Sequence, residues 1–300
     1  MADAIKYATT PVGDIAYVER GQGPTALFIH GVFLNHYFWR HVIDRVSDVR
    51  RCIAIDLLAH GATRTAADQD VSFAAQAEMI EAMCESLGLG PVDVVANDSG
   101  GGIAQILAAH HPDRIRSLVL TNCDVHDNWP PPAFQRAVAA AKAGAFGPIG
   151  QKMLADVDFA RATFAVSYER PHHVSAETFQ TYLAPIFSTP EGTRNLERFI
   201  ASMDCRQTTA VEPQLRRLAA LTLIVWAKDD VFFPVSWAYW LRDTIPGARR
   251  VIELDGARLF FPEERPDELA DALREFWNEE PAHAGLRAVA AADPSSRKTA

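Results

Sequence analysis

The chain's strongest constraint lies in one short stretch, where a strand-like run is followed at once by a glycine-packed helix start. Val92-Asp93-Val94-Val95-Ala96 reads as a buried strand, and Asn97-Asp98-Ser99 leads from it into Gly100-Gly101-Gly102-Ile103-Ala104. So abrupt a strand-to-helix turn presents one side chain at its apex and tolerates only small residues two before and two after it. With Asp98 at the apex, those places fall on Ala96 and Gly100, both small. With Ser99 there, Asn97 takes the first place and is too bulky. Asp98 is therefore the expected nucleophile, and the competing local reading is an Asp that merely caps the helix.

Around this turn the chain alternates strands and helices. Residues 13–18, 26–30, 51–56, 92–96, 117–120, 221–226 and 251–254 are short apolar or β-branched runs, and 73–88 carries helical spacing through Phe73, Ala77, Ile80, Met83 and Leu87. Such runs suit strands covered on both faces, which predicts an α/β fold with a mostly parallel eight-stranded sheet. The alternation stops between about 125 and 215, where helices are expected near 133–145, 148–165, 175–187 and 191–203. The expected layout is a core over 1–124 and 216–278, a helical cap over 125–215, and a disordered tail over 279–300.

Composition removes other classes. The apolar share is 48%, the charged share 22% and the net charge −9, an ordinary globular balance whose sign disfavours nucleic acid and anionic membrane as partners. No apolar run approaches a membrane span. Cys52, Cys84, Cys123 and Cys205 are widely spaced, as free thiols of a reducing compartment would be. The opening Met1-Ala2-Asp3-Ala4-Ile5-Lys6 has no secretory pattern, so a cytoplasmic location is expected. Neither His110-His111 nor His172-His173 has ligand partners at metal spacing, and the glycines at 100–102 match no nucleotide-binding fingerprint. The expectation is a protein without metal or cofactor, monomeric or homodimeric, acting on a small molecule.

Four segments, in order, carry a resemblance. Phe28-Ile29-His30-Gly31 resembles the strand-end HG motif of the α/β-hydrolase fold. Asp56-Leu57-Leu58-Ala59-His60-Gly61-Ala62-Thr63 resembles its D-x-x-G-H-G-x-S/T loop, and Trp226-Ala227-Lys228-Asp229-Asp230-Val231-Phe232-Phe233-Pro234 its acid loop. The fourth is the turn at Asp98, whose aspartate is similar to the haloalkane dehalogenase, haloacetate dehalogenase and epoxide hydrolase branch. The resemblance spans residues 5–278 and implies attack by a carboxylate on an sp³ carbon, an alkyl ester on Asp98, and hydrolysis of that ester by water. It implies oxyanion N–H groups near Val32 and Ser99, with His30 nearby, and Asp230 as the acid with Asn122 or Asp124 as fallback.

The family's histidine base is missing. It belongs after the eighth strand, where the chain reads Leu254-Asp255-Gly256-Ala257-Arg258-Leu259-Phe260-Phe261, and no His occurs between His173 and His283. Ala257 or Arg258 is read as occupying its place. Substitute bases could be His36, His60, His126, His172, His173 or His283. Arg258, permanently protonated, is placed either as a bridge between Asp230 and Asp98, as a grip on a substrate anion, or as a surface residue. Ser99 and Val32 stand where dehalogenases usually carry halide-binding residues. Tyr168 and Tyr182, in the cap, are candidates to protonate an epoxide oxygen. Cap aromatics, joined by Trp237, Tyr239 and Trp240, are expected to enclose an apolar cavity. The functional expectation is an Asp-nucleophile hydrolase with a non-standard site. Its alternatives are a non-hydrolytic enzyme or a ligand-binding protein on the same scaffold.

Overall fold

The computed structural model of the protein describes residues 4–279, so the expected disordered tail at 279–300 lies, but for its first residue, outside the described residues. Eight strands form one sheet: β1 Lys6–Thr10, β2 Gly13–Arg20, β3 Thr25–Ile29, β4 Arg51–Ile55, β5 Val92–Asp98, β6 Ile115–Cys123, β7 Leu221–Ala227 and β8 Ala248–Leu254. Their spatial order is β1-β2-β4-β3-β5-β6-β7-β8. Only the β1–β2 and β2–β4 pairs are antiparallel. β5 is buried at every position, as a central strand with helices on both faces must be. β1 was not anticipated, because only two of its five residues face the core.

Helices α1 Arg40–Val46, α2 Phe73–Ser86 and α3 Ser99–His110 belong to the first half of the sheet. Between β6 and β7 come α4 Gln135–Lys142, α5 Phe146–Ala155, α6 Val157–Phe164, α7 Ala176–Phe187 and α8 Pro190–Ala201, then the short α9 Arg206–Thr209 and α10 Glu212–Leu215. The sequence reading had one helix over 148–165. Asp156 divides it into α5 and α6, its carboxylate accepting the N–H groups of Asp158 and Phe159 as an N-cap. The chain closes with α11 Ser236–Thr244, α12 Phe261–Glu264 and α13 Pro266–Asn278. No helix of the described residues is long and apolar enough to cross a membrane.

The inserted helices sit over the carboxyl ends of the parallel strands, and aromatic side chains fill the seam. Phe33, just after β3, meets Phe146, Phe164 and Phe187 of the inserted helices with ring centroids 5.8–6.5 Å apart. Its φ of 66° is unusual for a bulky side chain. That backbone turn puts its ring among the cap aromatics.

Candidate active site

Asp98 ends β5 and precedes the first turn of α3, with φ 56° and ψ −132°. Such a backbone is disfavoured for a non-glycine residue and persists only where its surroundings enforce it. Two glycines make room for it. A Cβ on Gly100 would lie 2.5 Å from the carbonyl oxygens of Ile29 and His30, and one on Gly31 would lie 2.1 Å from Asp98 Oδ2. Val32 N–H donates to Asp98 Oδ2 at 3.0 Å, and the Ser99 N–H also supports the carboxylate. Both expected oxyanion donors thus converge on the carboxyl group itself. Burial, then the nearby Asp230, pushes the Asp98 carboxyl up to about 7 against the pull of those two donors.

Asp98 opens into a cavity of about 210 Å³. Its walls are mainly apolar, with Phe33 and Val32 from the core, Phe134 and Phe164 from the cap, and Phe232 and Leu259 from the later loops. The only acidic side chains in its lining are Asp98 and Asp124, and no histidine, Trp, Asn, Gln, Lys or Arg contributes to it among the described residues. Asp230 lies behind this wall. Asn122 Nδ2 donates to its Oδ2 at 2.8 Å and Phe232 N–H to its Oδ1 at 2.8 Å, while burial raises its carboxyl to about 7. Asn122 also exchanges hydrogen bonds with both backbone groups of Ala227. It clamps β6 to β7 and positions Asp230 rather than meeting the cavity.

Several expectations change here. Arg258 does not bridge the carboxylates, since its Nη1 donates to the carbonyls of Ala165 at 2.7 Å and Tyr168 at 3.3 Å. Its guanidinium ties the loop after β8 to the cap, satisfying carbonyls that the chain exposes between α6 and α7. Nor do Ala257 or Arg258 line the cavity with Asp98. Ala257 is fully buried, and it is Leu259 that lines the cavity beside Asp98. Tyr168 and Tyr182 do not reach the cavity either. Their hydroxyls donate to Glu263 at 2.6 and 2.7 Å, and Arg40 Nη1 reaches the same carboxylate at 2.5 Å. The two phenols are fixed as a cap-to-core tether, and burial followed by the Glu263 charge holds their pKa well above the usual range.

The histidines are structural or remote. His30 Nδ1 donates to the Gly31 carbonyl at 2.7 Å while Nε2 accepts from Leu57 N–H at 3.1 Å, so both ring nitrogens are engaged in holding neighbouring loops. Burial depresses its pKa to about 3. His60 packs edge-on to His30 and Phe199, His36 pairs with Asp56 at 2.8 Å, and His126 pairs with Glu212 at 2.9 Å. His172 and His173 are exposed, and His283 lies outside the described residues. Trp237 and Trp240 stack near His126, and Tyr239 bonds Glu253, so the aromatic group after the acid loop faces elsewhere. Sequence reasoning missed Phe33 and Leu259 as cavity residues. No local signal marks a positive φ at a phenylalanine, and Leu259-Phe260-Phe261 reads as ordinary core.

Known proteins match this architecture. The family model for the alpha/beta hydrolase fold matches residues 24–265. Haloalkane dehalogenase 2 of Mycobacterium tuberculosis is 28% identical over 274 residues, covering 88% of this chain and 91% of that protein. The haloalkane dehalogenase of Mesorhizobium japonicum is 29% identical over 248 residues, covering 76% of this chain and 77% of the other. An alpha/beta hydrolase fold protein from Burkholderia ambifaria superposes with a TM-score of 0.80 at 21% identity, over 91% of this chain and all of that one. The chain belongs to the α/β-hydrolase fold family, and it is a hydrolase related to the haloalkane dehalogenases.

Proposed function

We propose that Asp98 is a covalent nucleophile toward the sp³ or acyl carbon of a medium-sized apolar small molecule, in a site that works without an imidazole base. One observation carries this reading: Asp98 stands at the apex of the turn with Oδ2 held by the Val32 N–H. A carboxylate that attacks through one oxygen leaves the other as the carbonyl oxygen of the alkyl ester, or of the mixed anhydride where an acyl carbon is attacked and its alkoxide expelled. When water later adds to that carbonyl, the negative charge develops on the oxygen already held by a backbone donor. The Val32 N–H therefore serves both the resting nucleophile and the second transition state.

The cavity is apolar, which fits a neutral organic substrate. The relatives are named for carbon–halogen cleavage. Here the lining among the described residues supplies no side-chain N–H to receive a departing halide, which favours substrates with an oxygen leaving group. The second reading, a non-hydrolytic enzyme or ligand-binding protein, draws support from Leu259 beside the nucleophile.

The test is intact-protein mass after exposure to a panel of alkyl halides, epoxides and activated esters, with Asp98→Asn alongside. The covalent reading expects either an adduct that maps to Asp98 or turnover, each abolished in Asp98→Asn. Neither adduct nor turnover across the panel would leave the second reading standing.

A further inference from the structure

We propose that Asp124 is the proton-transfer residue of this site, donating to the oxygen of an epoxide as Asp98 opens the ring and then taking a proton from the water that cleaves the ester. This rests on the covalent reading of Asp98 and adds a substrate class and a second acting residue to it. Asp124 follows β6, and its N–H donates to the Asp98 carbonyl at 3.4 Å, so the two residues sit side by side at the carboxyl ends of β5 and β6. Its side chain lines the cavity with Asp98. The residue is only 2% exposed, yet among the described residues Oδ1 has no hydrogen-bond partner. A buried polar atom without a partner carries a cost, and here a bound molecule in the cavity would supply the partner.

The surroundings divide the roles. Titratable groups facing Asp124 are Asp98, Asp230 and Cys123, none of them cationic. Two buried carboxyls this close do not both ionise readily. Two backbone N–H groups favour charge on Asp98. Asp124 receives only the Ser99 hydroxyl, and burial and the Asp98 charge hold its carboxyl well above the usual range. The resting pair is an anionic nucleophile beside a carboxylic acid.

The cycle balances on that pair. Asp98 attacks a ring carbon, the C–O bond breaks, and the oxygen takes the Asp124 proton. An ester on Asp98 and an Asp124 carboxylate result. Asp124 then accepts a proton from water as the hydroxide adds to the ester carbonyl, whose oxygen is held by the Val32 N–H. Collapse breaks the ester C–O bond, and the leaving alkoxide takes that proton from Asp124. The new carboxylic acid at Asp98 passes its proton to Asp124, restoring both groups and releasing a diol. A halide departs without needing a proton, so only an oxygen leaving group uses both halves of this pair. The cap tyrosines are held by Glu263, which leaves Asp124 as the acid facing the cavity.

The experiment follows diol formation from styrene oxide by the full chain and its variants. Wild type should give diol. Asp124→Asn should lower the rate by roughly 10²-fold or more, the range of a positioned acid–base group, and Tyr182→Phe should leave it unchanged. Formate should restore activity to Asp124→Ala, which a merely structural role would not allow. On wild type alone, alkylation by the epoxide should show a solvent deuterium isotope effect that alkylation by an alkyl bromide lacks. Asp124→Asn at the wild-type rate, with Asp98→Asn inactive, would overturn this assignment and leave the covalent reading intact. An Asp98 adduct from alkyl bromides but no reaction with epoxides would do the same. No reaction at Asp98 with any electrophile would remove both.

Discussion

The two walls that flank Asp98 differ in how they are built. On the elbow side, Gly31, Val32, Ser99 and Gly100 leave Asp98 little freedom, and backbone N–H groups carry its electrostatics. On the opposite side, the segment from β8 to α12 offers the cavity only Leu259 and Phe260. Several of its polar groups are spent on the cap: Arg258 on two carbonyls, Phe260 N–H on the Ser167 carbonyl at 3.0 Å, and Glu263 on Tyr168 and Tyr182. One wall is arranged around a buried carboxyl group, the other around holding two parts of the molecule together. Resemblance to a family therefore does not fix what each matching position does.

Breaking the first wall should have the largest effect. In Gly31→Ala the new Cβ would stand 2.1 Å from Asp98 Oδ2, on the carboxylate's own position. The carboxylate must swing away from the Val32 N–H, and losing one such donor typically lowers the rate by about 10²–10³-fold. Formation of the Asp98 adduct, timed by intact mass, should fall by at least that range. Gly147→Ala, where a Cβ would meet nothing within 4 Å, should leave it unchanged. Equal rates for the two variants would mean that the elbow does not hold Asp98 for attack.

Stability offers the next largest signal. Asp98 ionises near 7 in the fold, against about 3.9 in an unfolded chain. A carboxyl raised in this way favours the fold at low pH and loses that contribution as pH rises from about 4 through about 7. Buried His30 and His60, lowered to about 3 and about 4, act in the opposite direction from about pH 4 to 6.5, so wild type alone gives a mixed profile. The difference between Asp98→Asn and wild type cancels the histidines and leaves the Asp98 carboxyl with the charge it imposes on Asp124. Denaturant melts should show the variant gaining on wild type with rising pH, by on the order of 2–4 kcal/mol at pH 8. A pH-independent difference would mean that the charge on Asp98 costs the fold nothing.

The contrast between the walls also explains what the sequence could reveal. The sheet and the elbow rest on local rules: continuous apolar runs, a strand running into glycines, and small residues flanking Asp98. β1 escaped notice because its burial alternates over only five residues, and the α5–α6 break depends on one capping carboxylate at Asp156. The far wall depends on contacts between residues nearly a hundred positions apart, Arg258 with Ala165 and Tyr168 with Glu263. A loop without regular backbone has no periodicity that tells which of Ala257, Arg258 and Leu259 faces inward. Tyrosines and an arginine near an expected site looked chemical, and tertiary hydrogen bonds committed them to structure.

The smallest expected effect is the one that sharpens the comparison most. If the far wall's departure is a single side chain, Leu259→His should place an imidazole in the cavity beside Asp98, with Asp230 already held close by Asn122 and Phe232. An added general base can contribute about 10²–10⁴-fold when well placed. A ring on an unadapted loop should deliver the low end or less, about 10–10²-fold faster clearance of the Asp98 ester. Arg258→His should give no gain, because position 258 points to the cap carbonyls, and it should lower the melting temperature by removing the Ala165 contact. Pulse alkylation followed by the decay of the adduct mass measures both variants directly. Faster decay only in Leu259→His would locate the difference between the walls at one position. Faster decay only in Arg258→His would mean that the loop turns its other face to the nucleophile in solution.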